Sequence, residues 1–218
     1  MHPRGFRLLL GEERWQALLA LGLDRRFRRG DVLMLQGSIG STVLPLVSGR
    51  VKVLAAEADG GQVLLTLRGA GDVVGEIAGG SPVPRPRTAT VVAVDDCRAR
   101  CVPDTAFRAF LDRCGAHAAF GEYVLTKLSQ TVPHQVRLAH HGPARRIAGL
   151  MLEVVSLADG AADPALVPFS QAEVAEALGL VRSTVARHVR EFRVAGALGP
   201  GPRLVVADVR ALRRLADL

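Results

Sequence analysis

Lysine is almost missing from this chain. Lys52 and Lys127 are its two lysines, and the rest of the 28 basic residues are arginines. The net charge of +7 is therefore weak testimony to a polyanionic partner, because an arginine skew of this kind follows genome composition and inflates basicity. Nor is the excess gathered at one end. Residues 1–139 hold 18 basic and 13 acidic side chains, and residues 140–218 hold 10 and 8.

Long apolar runs are missing too. Nothing approaches the roughly 18 residues a membrane span needs. Leu8-Leu9-Leu10, followed at once by Glu12 and Glu13, is too short for a secretory core. A soluble, cytoplasmic protein without a membrane partner is the expectation. Cysteine is limited to Cys97, Cys101 and Cys114, an odd number that does not suggest a disulfide framework. Cys97 and Cys101 fall on one face of a strand and read as small buried hydrophobes rather than a metal or redox pair. His2, His117, His134, His140, His141 and His188 offer no metal spacing beyond the adjacent pair His140-His141, which one helical face cannot share and which suits a hinge. With no P-loop or nucleophile elbow, neither catalysis nor a bound metal is expected.

What is present is a core: 49% of the 218 residues are hydrophobic, enough for one large domain or two smaller ones. Residues 12–21 read as a short amphipathic helix. From Asp24 to about Arg100 the texture is β-branched runs, such as Val43–Val47, Val51–Ala55, Gln62–Leu67 and Thr90–Val94, set between glycine turns. Seven or eight such strands predict a barrel or jelly roll. Helical periodicity returns with Phe107, Phe110 and Leu111. Phe120, Val124, Leu128 and Thr131 then continue a stripe suited to a partner helix. Pro143 opens a further helix carrying Ile147, Leu150, Met151, Val154 and Val155.

Residues 170–195 read SQAEVAEALGLVRSTVARHVREFRVA. Ser170 and Glu173 match a capping box. Ala175 is small enough for a second helix to cross closely, Gly179 supplies the positive φ of a tight turn, and Val185 fills the angle between the helices. The second helix exposes Arg182, Ser183, Arg187, His188 and Arg190, a face able to meet base edges and phosphates in a DNA groove. Val181 leaves its first amides without a side-chain acceptor. Gly196–Val206 has the look of a hairpin wing with Pro200-Gly201-Pro202 at its tip, and a last helix starts at Asp208.

Several stretches in order resemble the cyclic-AMP receptor protein / fumarate–nitrate regulator (Crp/Fnr) family: Gly30-Asp31-Val32-Leu33 with Gln36-Gly37, Val47-Ser48-Gly49-Arg50-Val51-Lys52-Val53, Gly75-Glu76, and Arg87-Thr88-Ala89-Thr90-Val91. The resemblance spans residues 24–215. It implies an α+β chain whose residues 1–114 form a β-roll of the cyclic-nucleotide-binding type. A dimerisation helix and hinge would follow over 115–141, and a winged helix-turn-helix over 142–218. It further implies a homodimer on a palindromic double-stranded operator, with RNA polymerase as a possible further partner, governed by cyclic AMP or another cyclic nucleotide.

In such a pocket Gly75 and Glu76 would open the phosphate cassette, with Glu76 accepting from the ribose 2′-hydroxyl. Arg87 would pair with the cyclic phosphate, Thr88 would assist, and Thr131 would meet the purine. Arg182 and Arg187 would read bases with Ser183 as adapter, while His188 and Arg190 face phosphates.

Departures from the family pattern keep a second reading open, a surface Glu–Arg pair on a roll that has lost its ligand. The cassette loop, residues 79–86, is proline-rich and longer than usual, and Arg85 competes with Arg87. Pro133 is expected to kink the dimer helix just after Thr131. Ser183 replaces the family's usual glutamate, so the operator of better-known members is not transferable.

Overall fold

Glycine turns and β-branched runs become eight antiparallel strands between residues 23 and 103 of the computed structural model. It describes residues 4–56, 62–79, 83, 85–158 and 163–217, with 131–139 described as helical backbone alone. One sheet has the order β1 (Leu23–Phe27), β8 (Cys97–Pro103), β3 (Thr42–Ser48), β6 (Val73–Val74). The other runs β2 (Val32–Met34), β7 (Thr90–Ala93), β4 (Val51–Ala56), β5 (Gln62–Arg68). The non-sequential neighbours are those of a roll closed by long connections, as the turn spacing predicted. Between the sheets lie Leu46, Val51, Ala93 and Ala99 with the thiol of Cys97. Burial, with Asp95 beside it, pushes that thiol up to about 12. Cys97 is a core residue, protonated at neutral pH.

A helical layer covers the first sheet. Helices α1 (Gly5–Leu10), α2 (Glu12–Ala20), α4 (Asp104–Arg113) and α5 (His117–His140) bury Phe6, Trp15, Phe107 and Tyr123 against Val43, Val73 and Val102. Each such side chain contributes roughly 1.5–3 kcal/mol of transfer free energy. Helix α1 has no counterpart among the elements expected from sequence. Its isolated propensity is low, and tertiary burial of Phe6 and Leu10 is what holds it.

Helix α5 runs on through Pro133 to His140, so the proline lies inside the element, as the sequence indicates. Proline removes one amide and crowds one carbonyl, and a helix of 24 residues retains its other bonds. The apolar stripe also divides. Phe120 turns inward, 5.9 Å from the Phe6 ring and 5.3 Å from that of Phe107, while Leu125 and Leu128 face outward.

The C-terminal part consists of α6 (Pro143–Ser156), β9 (Leu166–Val167), α7 (Gln171–Leu178), α8 (Arg182–Val194), β10 (Leu204–Val205) and α9 (Val209–Ala216). The expected hairpin is modified. β10 pairs with β9, which precedes α7, and meets the arm after α8 through the bond from Gly199 N to Val205 O and, just beyond the strand, the Leu198–Val206 bridge. Leu54, Leu64 and Leu67 of the second sheet, with Val94 just after β7, share one apolar cluster with Ile147, Met151 and Phe169. Roll and C-terminal part are therefore packed together.

Arg50 is the polar centre of that contact. It follows Gly49, whose φ of +82° and proximity to Asp96 leave no room for a Cβ. Arg50 is 3% exposed. Its Nε and Nη2 lie 2.6 Å from Asp95 Oδ2, and its Nη1 donates to Val154 O at 3.0 Å and Leu166 O at 3.2 Å. On the rim Arg29 Nη2 reaches Glu173 Oε2 at 3.1 Å, and Arg4 Nη1 donates to Ser156 O at 2.7 Å.

Replacing Arg50 by alanine removes the donors of Asp95 Oδ2 and Leu166 O and one of the two donors at Val154 O. We expect Arg50→Ala to cost about 3 kcal/mol in urea unfolding, the scale for removing one member of a buried ion pair. A loss below about 1 kcal/mol, the worth of a surface pair, would show that the guanidinium is not a structural bridge.

Candidate functional site

The cassette begins where β6 ends. Gly75 has a φ of +81°, and a Cβ there would stand 2.4 Å from Met34 Cε and 2.7 Å from Arg87 Nη1, so only glycine lets the chain turn here. The turn delivers Glu76 to the first position of the one-turn helix α3 (Glu76–Gly79), whose Gly79 carbonyl accepts from Arg108 Nη1 at 3.1 Å. Arg87 arrives from the opposite side. Its backbone is fixed to the Gln36-Gly37-Ser38 turn, with Gly37 N donating to Arg87 O and Arg87 N donating to Ser38 O, both at 2.9 Å. Gly40 leaves the space in which the guanidinium lies.

Both side chains are buried, each 5% exposed, and they do not pair with each other. The surface Glu–Arg pair of the second reading is thereby corrected. Glu76 Oε1 instead accepts from Lys127 Nζ at 2.7 Å. Lys127, from α5, also donates to Val73 O at 2.9 Å and stands 4.8 Å from the Tyr123 ring centroid. Arg87 Nη1 donates to Gly75 O at 2.8 Å and its Nη2 to Thr42 O. Burial lowers the Arg87 pKa, with Asp104 and Glu76 working against that. An arginine tolerates such lowering and keeps its charge.

Next to it, Tyr123 Oη accepts from Val73 N at 2.8 Å and donates to the Asp72 carboxylate at 3.2 Å. Burial, with Asp72 and Glu76 nearby, raises its phenol well above its ordinary value.

Of the pocket residues inferred from sequence, Gly75, Glu76 and Arg87 thus come together on one wall. Thr88 is exposed, and the side chain of Thr131 lies outside the described residues, as do residues 80–82 and 84 of the cassette loop. Arg85 is exposed. Lys127 was missed. The available clue was a lysine on an otherwise apolar stretch of α5 in a chain that hardly uses lysine.

The helix-turn-helix is built as its sequence indicates. Ser170 Oγ accepts from Glu173 N at 3.1 Å and Ser170 N donates to Glu173 Oε2 at 2.7 Å, completing the capping box. Burial alone would raise the Glu173 carboxyl. The Ser170 amide and hydroxyl, with Arg29 and Lys52, outweigh it and hold the group below the usual carboxylate range. Gly179 adopts φ +59°, and Ala175 and Val185 are buried at the crossing. Val181 makes no side-chain cap.

On α8, Arg182, Ser183, Arg187 and Arg190 are exposed on the outer face. His188 departs from expectation. Its ring stacks on Phe192 at 6.3 Å, its Nδ1 lies 2.6 Å from Glu191 Oε2, and its side chain is 12% exposed, so it supports the helix rather than facing outward. Among the described residues there is no cluster of histidine, cysteine and carboxylate side chains able to hold a metal, and no helix long and apolar enough to cross a membrane.

Comparison with known proteins matches residues 24–114 to the cyclic nucleotide-binding domain and residues 145–215 to the Crp-like helix-turn-helix domain. A CRP-like cAMP-activated global transcriptional regulator of Mycobacterium tuberculosis is 26% identical over 195 residues, which is 87% of this chain and 86% of that protein. Among solved structures, a CRP-family transcriptional regulator from Thermus thermophilus superposes with a TM-score of 0.73 at 22% identity, over 89% of this chain and 97% of that one. The c-di-GMP responsive global regulator of Xanthomonas campestris gives 0.71 at 20% identity, over 91% and 100%.

Arg87 holds two backbone carbonyls of the roll through its guanidinium. Arg87→Ala should cost about 2 kcal/mol in denaturant unfolding without any ligand, because Gly75 O and Thr42 O lose a charged donor. Unchanged stability would mean that the two carbonyls are satisfied without it.

Proposed function

The chain belongs to the Crp/Fnr family of transcription regulators, and we propose that it acts as a homodimer on a roughly palindromic operator under the control of a cyclic nucleotide. The observation that carries the reading is the buried pair of opposite charges, Glu76 and Arg87, on one wall of the roll beneath α5. A cyclic nucleotide needs both: a carboxylate for the ribose hydroxyl and a guanidinium for the single negative charge of the phosphate. Thr88 and Thr131 complete the assignment, Thr131 at the purine. Burying two charges is costly even when each is hydrogen-bonded, and a ligand that binds both is one return on that cost. The printed description of the mycobacterial relative, cAMP-activated, favours the same class of effector.

The outward Leu125 and Leu128 support pairing of α5 with its copy. Two copies would present two α8 helices to successive major-groove segments. Arg182 and Arg187 are assigned to bases, Ser183 to an adaptable contact and Arg190 to phosphate. Contact with RNA polymerase belongs to the same reading.

One observation favours a second reading, a regulator whose pocket no longer takes a nucleotide. Lys127 and two backbone carbonyls already bond the groups that a nucleotide would use. A ligand phosphate would have to share the Arg87 guanidinium with both carbonyls.

Two measurements test the proposal. Calorimetry on nucleotide-stripped protein should show saturable heat with cyclic AMP or cyclic GMP, and absence of heat with either selects the second reading. In gel-shift titrations Arg182→Ala should lose about 1–3 kcal/mol and relax base preference, as for a lost bidentate contact. An unaltered footprint and affinity would remove Arg182 from the readout.

A further inference from the structure

The wing after α8 has a tip that cannot hold itself. Its sequence from 199 is Gly199-Pro200-Gly201-Pro202-Arg203. The two prolines have no amide to donate, and Gly201 sits at φ +96°. The ladder ends below the tip, where Gly199 N donates to Val205 O at 2.8 Å. Such a segment, left alone, would sample many conformations and lose them again on meeting a partner.

It is held from the side by the reading helix. Arg193, in the last turn of α8, donates from Nε to Gly199 O at 3.3 Å and from Nη2 to Gly201 O at 2.6 Å. The two carbonyls flank Pro200, so one planar guanidinium clamps both sides of the turn. Among the described residues these are the hydrogen bonds that reach the tip. Arg203 stands just beyond them, exposed.

We infer that Arg193 is a positioning residue for DNA binding: it makes α8 and the wing one rigid unit and sets Arg203 as a phosphate contact beside the groove that α8 enters. Arg193 points at carbonyls rather than outward, so it acts through the tip. The ordering entropy of a Gly-Pro turn is removed before DNA arrives, which is the general benefit of preorganisation. Arg203 supplies the charge, without information about base sequence.

The inference rests on α8 being the groove-reading helix, and the test separates the two claims. The wild type, Arg203→Ala, Arg193→Gln and the double variant are titrated with operator and with scrambled duplex from low to moderate salt, with thermal melts in parallel. Preference of the wild type for operator reports on α8. Comparison among the variants reports on the clamp.

Arg203→Ala should lower the magnitude of the salt slope by about one while leaving base preference intact. Arg193→Gln should do the same without shifting the melt by more than a few degrees. The double variant should bind within about two-fold of Arg203→Ala, because two residues serving one contact are not additive. Losses that multiply in the double variant, or a salt slope untouched by Arg203→Ala, would overturn the inference. If Arg193→Gln fails to fold, Arg193→Lys, which keeps the charge but not the two-carbonyl fork, is read against Arg203→Ala by the same slope criterion.

Discussion

A guanidinium shut away from water must have its donors bonded, and in this chain that requirement joins the roll to the DNA-reading part. Arg50 is fixed by Asp95 within the roll and reaches out to the carbonyls of Val154 and Leu166. Val154 lies in the last turn of α6, where its carbonyl accepts from Leu157 N as well as from Arg50, and a cation is well placed at that end of the helix dipole. The apolar cluster shared across the same contact supplies the bulk of the attraction. Arg50 adds direction, since its bonds are satisfied in one relative placement and stranded in others.

The same logic shapes the pocket. Glu76 and Arg87 are buried charges, and each has found a partner inside the protein: Lys127 for the carboxylate, two carbonyls for the guanidinium. Both buried charges are thereby satisfied by groups of the protein itself. Lys127 also ties the cassette to α5, the helix that exposes Leu125 and Leu128. A group bound at Glu76 therefore meets α5 through one hydrogen bond. Tyr123 and Asp72, one helical turn away, make the opposite end of that contact rigid.

In the reader, polar side chains divide into those that build and those that face outward. Glu173 closes the capping box and meets Arg29 of the roll, His188 leans on Phe192, and Arg193 holds the wing. Arg182, Ser183, Arg187 and Arg190 remain on the outer face of α8. Sequence spacing alone places His188 with the second set, because an angular position on a helix does not say which neighbour a ring will stack on.

Local rules make much of this legible. Capping box, positive-φ glycine, small residue at the crossing and alternating strands each concern residues a few positions apart, so their physics is written in the order of the chain. The roll and the helix-turn-helix follow from such rules, and the Gly75-Glu76 and Arg87 motifs from family resemblance. What only the tertiary structure decided is which buried charge meets which partner. Glu76 and Lys127 are 51 positions apart, Arg50 and Leu166 are 116 apart, and nothing in the spacing announces either pair. Pro133 makes the same point from the other side. Its local preference is to interrupt a helix, and the longer element prevails because cooperative bonding on both sides outweighs one missing amide.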